Sequence, residues 1–133
     1  DVALRSADYV VSVLPSTPHT RGLLDGNALR AASECHGGKC PAFLNVGRGD
    51  VVDETSLLNA LDNKWISAAI LDVFGVEPLP KESRLWDRSD VVISPHVSGL
   101  TQGSDVPKVF LENYRRFVDG RSLKFEVDWE KGY

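Results

Sequence analysis

Residues 42–53 read Ala42-Phe-Leu-Asn-Val-Gly-Arg-Gly-Asp-Val-Val-Asp53, and three kinds of local structure follow one another in this stretch. The apolar run over 42–46 lacks polar alternation, which is typical of a strand buried on both faces of a parallel sheet. A Gly-Arg-Gly turn follows, and Asp53 can then cap a helix that ends near Asn63. The apolar stripe of this helix consists of Leu57, Leu58 and Leu61. A strand, a turn and a helix in this order predict one crossover unit of an α/β domain.

Three more apolar runs extend this pattern in both directions, over residues 9–14, 66–73 and 91–94. Between the first two strands, Asp25 can cap another helix. The apolar positions of that helix are Ala28, Leu29 and Ala32. The alternation of buried strands with helices predicts an α/β fold with a parallel sheet and right-handed crossovers.

A longer helix closes the pattern near the end of the chain. It begins at Ser104 or Asp105, carries Pro107 in its first turn, and is followed by Gly120. Its apolar residues recur every three or four positions and form one broad face that needs something to pack on. These residues are Val106, Val109, Phe110, Tyr114, Phe117 and Val118.

The length of 133 residues and the apolar content of 42% suit one compact domain. We expect a partial domain over residues 1–120, which includes the returning C-terminal helix over 104–119. The remaining residues, 121–133, are expected to form a tail.

Charge and residue usage exclude several classes of partner. The formal net charge of −4 argues against a nucleic acid or an anionic membrane. The longest nearly apolar stretch, 68–76, is interrupted by Asp72 and is far shorter than the ~20 residues of a membrane span. Two cysteines, Cys35 and Cys40, make a poor disulfide framework and favour a cytoplasmic location.

The chain contains no methionine, so we expect that other residues precede Asp1 in the native protein.

Polar side chains follow the predicted strands, where ligands of open α/β sheets bind. Arg48 offers a bidentate guanidinium for the carboxylate of a 2-oxo acid. His96 can donate a proton to the carbonyl oxygen near neutral pH. Glu77 beside this histidine would orient it and favour the imidazolium, and Asp72 suits a contact to the nicotinamide side of a cofactor. Together these residues indicate hydride-transfer chemistry.

Four segments resemble those of the D-isomer-specific 2-hydroxyacid dehydrogenases, in the same order and with similar spacing over about residues 7–120. The segments are Tyr9-Val-Val-Ser-Val-Leu-Pro-Ser-Thr-Pro-His-Thr-Arg-Gly22, Asn45-Val-Gly-Arg-Gly-Asp-Val-Val-Asp53, Leu71-Asp-Val-Phe-Gly-Val-Glu-Pro78 and Ser94-Pro-His-Val-Ser-Gly99. The resemblance implies the second half of a Rossmann-type parallel-sheet NAD(P)-binding domain, followed by a long C-terminal helix.

The same resemblance implies roles for individual residues. Arg48, Glu77 and His96 would be catalytic, and Arg48 and His96 would also contact the substrate. The implied cofactor contacts are Leu14, Pro15, Thr20, Val46, Gly47, Arg48, Asp72, His96, Ser98 and Gly99.

Two further segments, Glu77-Pro-Leu-Pro-Lys-Glu-Ser-Arg-Leu-Trp86 and Val127-Asp-Trp-Glu-Lys-Gly-Tyr133, are similar to bacterial glyoxylate/hydroxypyruvate reductases. This similarity implies reduction of glyoxylate or hydroxypyruvate with NADP in preference to NAD, and family members commonly form homodimers. Dinucleotide-sensing corepressors of the same family keep the same residues. A binding module is therefore the alternative to an enzyme.

The chain departs from the family pattern in two ways. The Gly-x-Gly-x-x-Gly turn that binds the cofactor pyrophosphate is absent, as is the substrate-capping domain. We therefore expect the chain to be inactive alone, to depend on a missing N-terminal portion, and to self-associate through an unpaired sheet edge. The segment 31–41 is also longer than the family's connection. Its Cys35, His36 and Cys40 lack a fourth ligand nearby, so we predict a surface loop and no metal site.

Overall fold

The computed structural model describes residues 2–34, 40–99 and 101–133, with the side chains of Val2 and Ala3 left aside. The chain divides into two compact units, Asp1–Ser98 and Gly99–Tyr133, and each is described by itself. The expected division into a domain over 1–120 and a tail over 121–133 stays a prediction. The expected surface loop at Cys35 and His36 lies outside the described residues.

The first unit is built on a four-stranded sheet, and its strands are all parallel and lie in chain order. The strands are β1 (Tyr9–Ser12), β2 (Ala42–Asn45), β3 (Ala68–Leu71) and β4 (Val91–Ile93). The last residues of all four strands lie side by side, because Ser12 pairs with Asn45, Asn45 with Leu71, and Leu71 with Ile93. The predicted parallel α/β fold is confirmed, and the strands are shorter than the apolar runs that predicted them.

Helices connect the strands, as the sequence predicts. The two α-helices of this unit are α1 (Val2–Ser6) and α2 (Glu54–Asp62), and short 3-10 helices cover Ala28–Glu34, Gly49–Val51 and Arg84–Asp87. The predicted cap of α2 is confirmed, because the Asp53 carboxylate accepts a hydrogen bond from the Ser56 N–H at 2.7 Å. The Asp25 side chain does not cap a helix as predicted. Its Oδ1 accepts a hydrogen bond from the Asp53 N–H at 2.6 Å and so joins the segment between β1 and β2 to the segment between β2 and β3.

Only one face of the sheet is covered in this unit. Phe43 and Ala69 are completely buried and pack in one cluster with apolar residues of the helices, whereas Val11 and Val92 on the opposite face are 52% and 59% exposed. The expectation of burial on both faces is therefore not met within this unit. Successive side chains of a strand point to opposite faces, and the helices of the described unit cover one of them.

The second unit contains α3 (Asp105–Val118), which confirms the predicted C-terminal helix. Gly120 follows its end with φ of +63°, a conformation that glycine adopts without strain. No described residue of α3 is buried, so its apolar face is exposed. Among the helices of the described residues, none combines the length and apolar character that crossing a membrane requires.

Candidate active site

The segments that follow the four strands are tied to one another at the carboxyl-end rim of the sheet. The Ser16 hydroxyl, after β1, donates to the Asp50 carboxylate, after β2, at 2.5 Å. The backbone at Phe74, after β3, passes directly against Gly49. Glu77 in turn contacts the loop that follows β4. This series of contacts places the neighbourhoods of Arg48 and His96 on the same rim.

Glu77 and His96 form a hydrogen-bonded pair at this rim. The Glu77 Oε2 atom lies 2.8 Å from His96 Nδ1, and Oε1 accepts the Phe74 N–H at 2.9 Å. These two contacts, with His96 first, hold the pKa of Glu77 below its usual range. Since no described residue hydrogen-bonds His96 Nε2, that nitrogen is free to face a ligand. The pairing predicted from sequence is thus present.

Arg48 is presented by a turn in which both neighbouring glycines are sterically required. A Cβ at Gly47 would lie 2.7 Å from the Leu14 backbone, and one at Gly49 would lie 1.9 Å from the carbonyl carbon of Phe74. The Arg48 side chain is exposed, and its Nη1 donates to the Gly47 carbonyl at 2.9 Å. None of the described carboxylates forms an ion pair with Arg48, which leaves its charge available for an anion.

Asn45 has a structural role that the sequence analysis did not assign. It is 1% exposed at the end of β2. Its Nδ2 donates to the Arg48 carbonyl at 3.0 Å, and its Oδ1 accepts the Gly47 N–H at 3.2 Å. The side chain therefore closes the turn that carries Arg48. The sequence did contain a signal for this role, because Asn45 is a polar residue inside an otherwise apolar run and a buried amide needs hydrogen-bond partners.

Asp72 lies at the end of β3 and is 2% exposed. Its carboxylate accepts hydrogen bonds from the Ser94 hydroxyl and from the N–H groups of Val97 and Ser98. The hydroxyls of Ser94 and Ser98 contribute most to holding the pKa of Asp72 well below its usual range, and the N–H groups of Val97 and Ser98 add to this effect. The carboxylate is charged at neutral pH and is engaged with the protein itself.

The remaining residues predicted to contact the cofactor occupy both ends of the rim. Leu14, Pro15 and Val46 are half-buried after β1 and β2. The Thr20 hydroxyl is used internally, because it donates to the Pro15 carbonyl at 2.6 Å. Ser98 is exposed after β4, and Gly99 is the first residue of the second unit. Cofactor contact by these residues stays a prediction.

A recess of about 500 Å³ adjoins the Glu77–His96 pair. Its walls are otherwise apolar and consist of Phe74, Pro78, Leu79, Trp86, Ile93 and Pro95. Within the part of the chain that the structure describes, no three His, Cys, Asp or Glu side chains are grouped in a way that could hold a metal ion.

Four parallel strands, followed by polar side chains beyond their carboxyl ends, define a Rossmann-type half-domain. Residues 1–98 match the NAD-binding domain of the D-isomer specific 2-hydroxyacid dehydrogenases. The chain therefore belongs to this family.

Several relatives resemble the chain along nearly its whole length. Glyoxylate/hydroxypyruvate reductase A from Escherichia fergusonii is 34% identical over 130 residues, which are 98% of this chain and 40% of the relative. The NADPH-dependent glyoxylate/hydroxypyruvate reductase of Sinorhizobium meliloti, solved with NADP and sulfate, is 34% identical with a TM-score of 0.90. That match covers 99% of this chain and 42% of the reductase.

A D-isomer specific 2-hydroxyacid dehydrogenase from Xanthobacter autotrophicus Py2, solved with NADPH and MES, is 38% identical with a TM-score of 0.86. It is matched over 98% of this chain and 52% of its own length. The chain thus spans about half or less of each of these relatives.

Proposed function

We propose that the native protein containing this chain is an NAD(P)-dependent oxidoreductase that reduces a small 2-oxo acid, of the glyoxylate or hydroxypyruvate type. The observation that carries the proposal is the Glu77–His96 pair, 2.8 Å apart, on the same sheet rim as Arg48, which forms no ion pair with any described carboxylate. A proton donor and a cation for a carboxylate are the two groups that this reaction requires of the protein.

The rim residues also fit a nicotinamide cofactor. Leu14, Pro15 and Val46 offer half-buried apolar surface, which suits a planar ring, and Ser98 is an exposed residue at the other end. We assign cofactor contacts to these residues together with Gly47, Thr20 and Gly99. When bound, the cofactor would supply the hydride.

The role that we propose for each side chain follows from its contacts. Arg48 would bind the substrate carboxylate through its planar fork and so orient the carbonyl group. His96 would donate a proton from Nε2 to the carbonyl oxygen, which becomes the hydroxyl of the product. Glu77 would hold the ring in this orientation through Nδ1. Both Arg48 and His96 would thus contact substrate.

The direct test is turnover of the native protein that contains this chain, followed as NADPH oxidation with glyoxylate and with hydroxypyruvate. Replacing the proton donor in His96→Asn should lower kcat by about 10²–10⁴. The matched control is His19→Asn, because His19 is an exposed histidine in another connection. A His96→Asn variant that reduces both acids at the unaltered rate would contradict the proposal. Cofactor binding without turnover of any 2-oxo acid would favour the corepressor-like alternative.

NADPH is the cofactor we favour. The Sinorhizobium meliloti and Xanthobacter autotrophicus relatives were solved with NADP and NADPH, respectively. The same assay with NADH in place of NADPH tests this preference, and a higher kcat/KM with NADH would reverse it. The homodimer and the cytoplasmic location expected from the sequence stay predictions.

A further inference from the structure

The carboxylate of Asp50 lies two residues after Arg48 and contacts two side chains of the segment between β1 and β2. The Ser16 hydroxyl donates to its Oδ2 at 2.5 Å, and the Arg21 Nε atom lies 3.3 Å from the same oxygen. Arg21 Nε also donates to the Ser16 hydroxyl oxygen at 3.1 Å, so the three side chains form a closed triangle. Because a guanidinium is always charged in proteins, Arg21 compensates the negative charge of Asp50.

Backbone hydrogen bonds hold the two segments of this triangle together. The Gly22 N–H donates to the Asp50 carbonyl at 2.8 Å, and the Leu24 N–H donates to the Val51 carbonyl at 2.9 Å. The main chain next to Arg21 is therefore fixed against the main chain at Asp50. The pairing of Arg21 with Asp50 does not rest on the two side chains alone.

Two arginines are candidates for pairing with Asp50, and the structure pairs it with one of them. Arg48 is closer to Asp50 in the sequence, but its Nη1 donates to the Gly47 carbonyl, and none of the described carboxylates lies within ion-pair distance of it. Arg21 forms the ion pair with Asp50 instead. An unpaired guanidinium is the form that can bind a substrate carboxylate through two parallel hydrogen bonds.

We propose that Arg21 is a positioning residue, which compensates the Asp50 carboxylate and so leaves Arg48 free to bind the carboxylate of the substrate. The inference rests on the proposed function, because it concerns the affinity of Arg48 for an anionic substrate. Without Arg21, the Asp50 carboxylate would be an uncompensated charge two residues from Arg48. It would attract the Arg48 guanidinium and repel an incoming 2-oxo acid. In this role Arg21 acts through Asp50 and contacts neither the substrate nor the cofactor.

The discriminating experiment compares Arg21→Gln, Asp50→Asn and the double variant of the native protein, assayed as NADPH oxidation with glyoxylate. Both side chains are partly exposed, so the KM for glyoxylate in Arg21→Gln should rise about threefold to fivefold, the effect of one exposed ion pair. The kcat should stay at the wild-type value. The double variant should regain the wild-type KM, because the amide of Asp50→Asn carries no charge that needs compensation. Arg30→Gln, which removes another exposed arginine between β1 and β2, is the matched control and should keep the wild-type KM.

Ionic strength supplies a second readout. The ratio of the KM of Arg21→Gln to the wild-type KM should approach one in about 1 M KCl, because the Debye length falls to about 3 Å. A ratio that does not change with salt would overturn the inference. So would a double variant whose KM stays as high as that of Arg21→Gln, the result expected if Arg21 contacts the substrate directly or only supports the fold. A raised KM in Asp50→Asn alone would also overturn it.

Binding of oxalate separates this inference from the proposed function. Oxalate presents a carboxylate to Arg48 as a 2-oxo acid does, but it is not turned over in the assay, so its dissociation constant can be measured by calorimetry with the native protein and NADPH. A wild-type protein that reduces no 2-oxo acid, but whose oxalate affinity falls in Arg21→Gln and recovers in the double variant, would refute the proposed function and support the role of Arg21. Equal oxalate dissociation constants in wild type and Arg21→Gln would overturn the inference.

Discussion

Gly49→Ala offers a severe test of how the rim is assembled. The added Cβ would lie 1.9 Å from the carbonyl carbon of Phe74, 2.1 Å from its oxygen and 2.5 Å from its Cα. Carbon atoms pack at about 3.5–4.0 Å, so one of the two backbones must move by about 1.5 Å. Because the clash involves backbone atoms on both sides, no side-chain rotation can relieve it.

The expected loss in the free energy of unfolding is about 1–3 kcal/mol, the range for overpacking that displaces backbone. With a urea m-value of about 2 kcal/mol/M, a loss of about 2 kcal/mol lowers the unfolding midpoint by about 1 M. Turnover should also fall. The Phe74 N–H that would be displaced is the group that holds Glu77 Oε1 at 2.9 Å, and a misplacement of about 1 Å can cost about 10² in rate.

Urea unfolding of the chain and turnover of the native protein measure the two effects separately. Gly75→Ala is the matched control, because a Cβ at Gly75 would meet only the Gly49 carbonyl oxygen, at an ordinary 4.0 Å. The control should unfold near the wild-type midpoint. If Gly49→Ala has the same midpoint and turnover as the control, the close approach of Gly49 and Phe74 does not hold the rim together.

Two further predictions concern single carboxylates. Asp53→Ala should lower the free energy of unfolding by about 1 kcal/mol through loss of the α2 cap, while Asp53→Asn should retain most of it, as urea unfolding would show. The hydrogen bonds from Ser56 lower the pKa of Asp53 below its ordinary 3.8 in the folded chain. Its charged form therefore stabilises the fold above about pH 4, and the difference between wild type and Asp53→Ala should shrink as the pH falls through the lowered pKa. Equal unfolding midpoints at neutral pH would contradict the capping role. Glu77→Gln should lower kcat of the reduction reaction, because a neutral amide replaces the carboxylate that lies 2.8 Å from His96 Nδ1 and orients the ring; an unaltered kcat would refute this.

Local sequence patterns were sufficient for the layout of the first unit. The largely apolar runs predicted four parallel strands, and Asp53 before the leucine stripe predicted where α2 begins. Both signals depend on residues that are close in sequence. The pairing of Glu77 with His96 was also foreseen, since parallel strands bring their carboxyl ends to one rim.

The same patterns gave wrong predictions for the burial of the strand faces and for the hydrogen-bond partner of Asp25. An apolar run shows that a strand can be buried on both faces, but the elements that are present decide which face is covered. Here Val11 and Val92 remain exposed. Asp25 carries the residue type of a helix cap, yet Asp53, 28 positions later, provides the N–H that its side chain accepts.

The sequence by itself determined the order of strands and helices, the family and the residue types available for chemistry. Tertiary structure decided how those residues are held. The Asn45 amide hydrogen-bonds within the turn that carries Arg48. The Asp72 carboxylate accepts hydrogen bonds from residues on both sides of His96 in the sequence. The physical reason is the range of the interactions. Periodicity and capping act over a few residues, whereas the bonds of Asp72 span 22–26 positions and exist only because β3 and β4 lie side by side in one register.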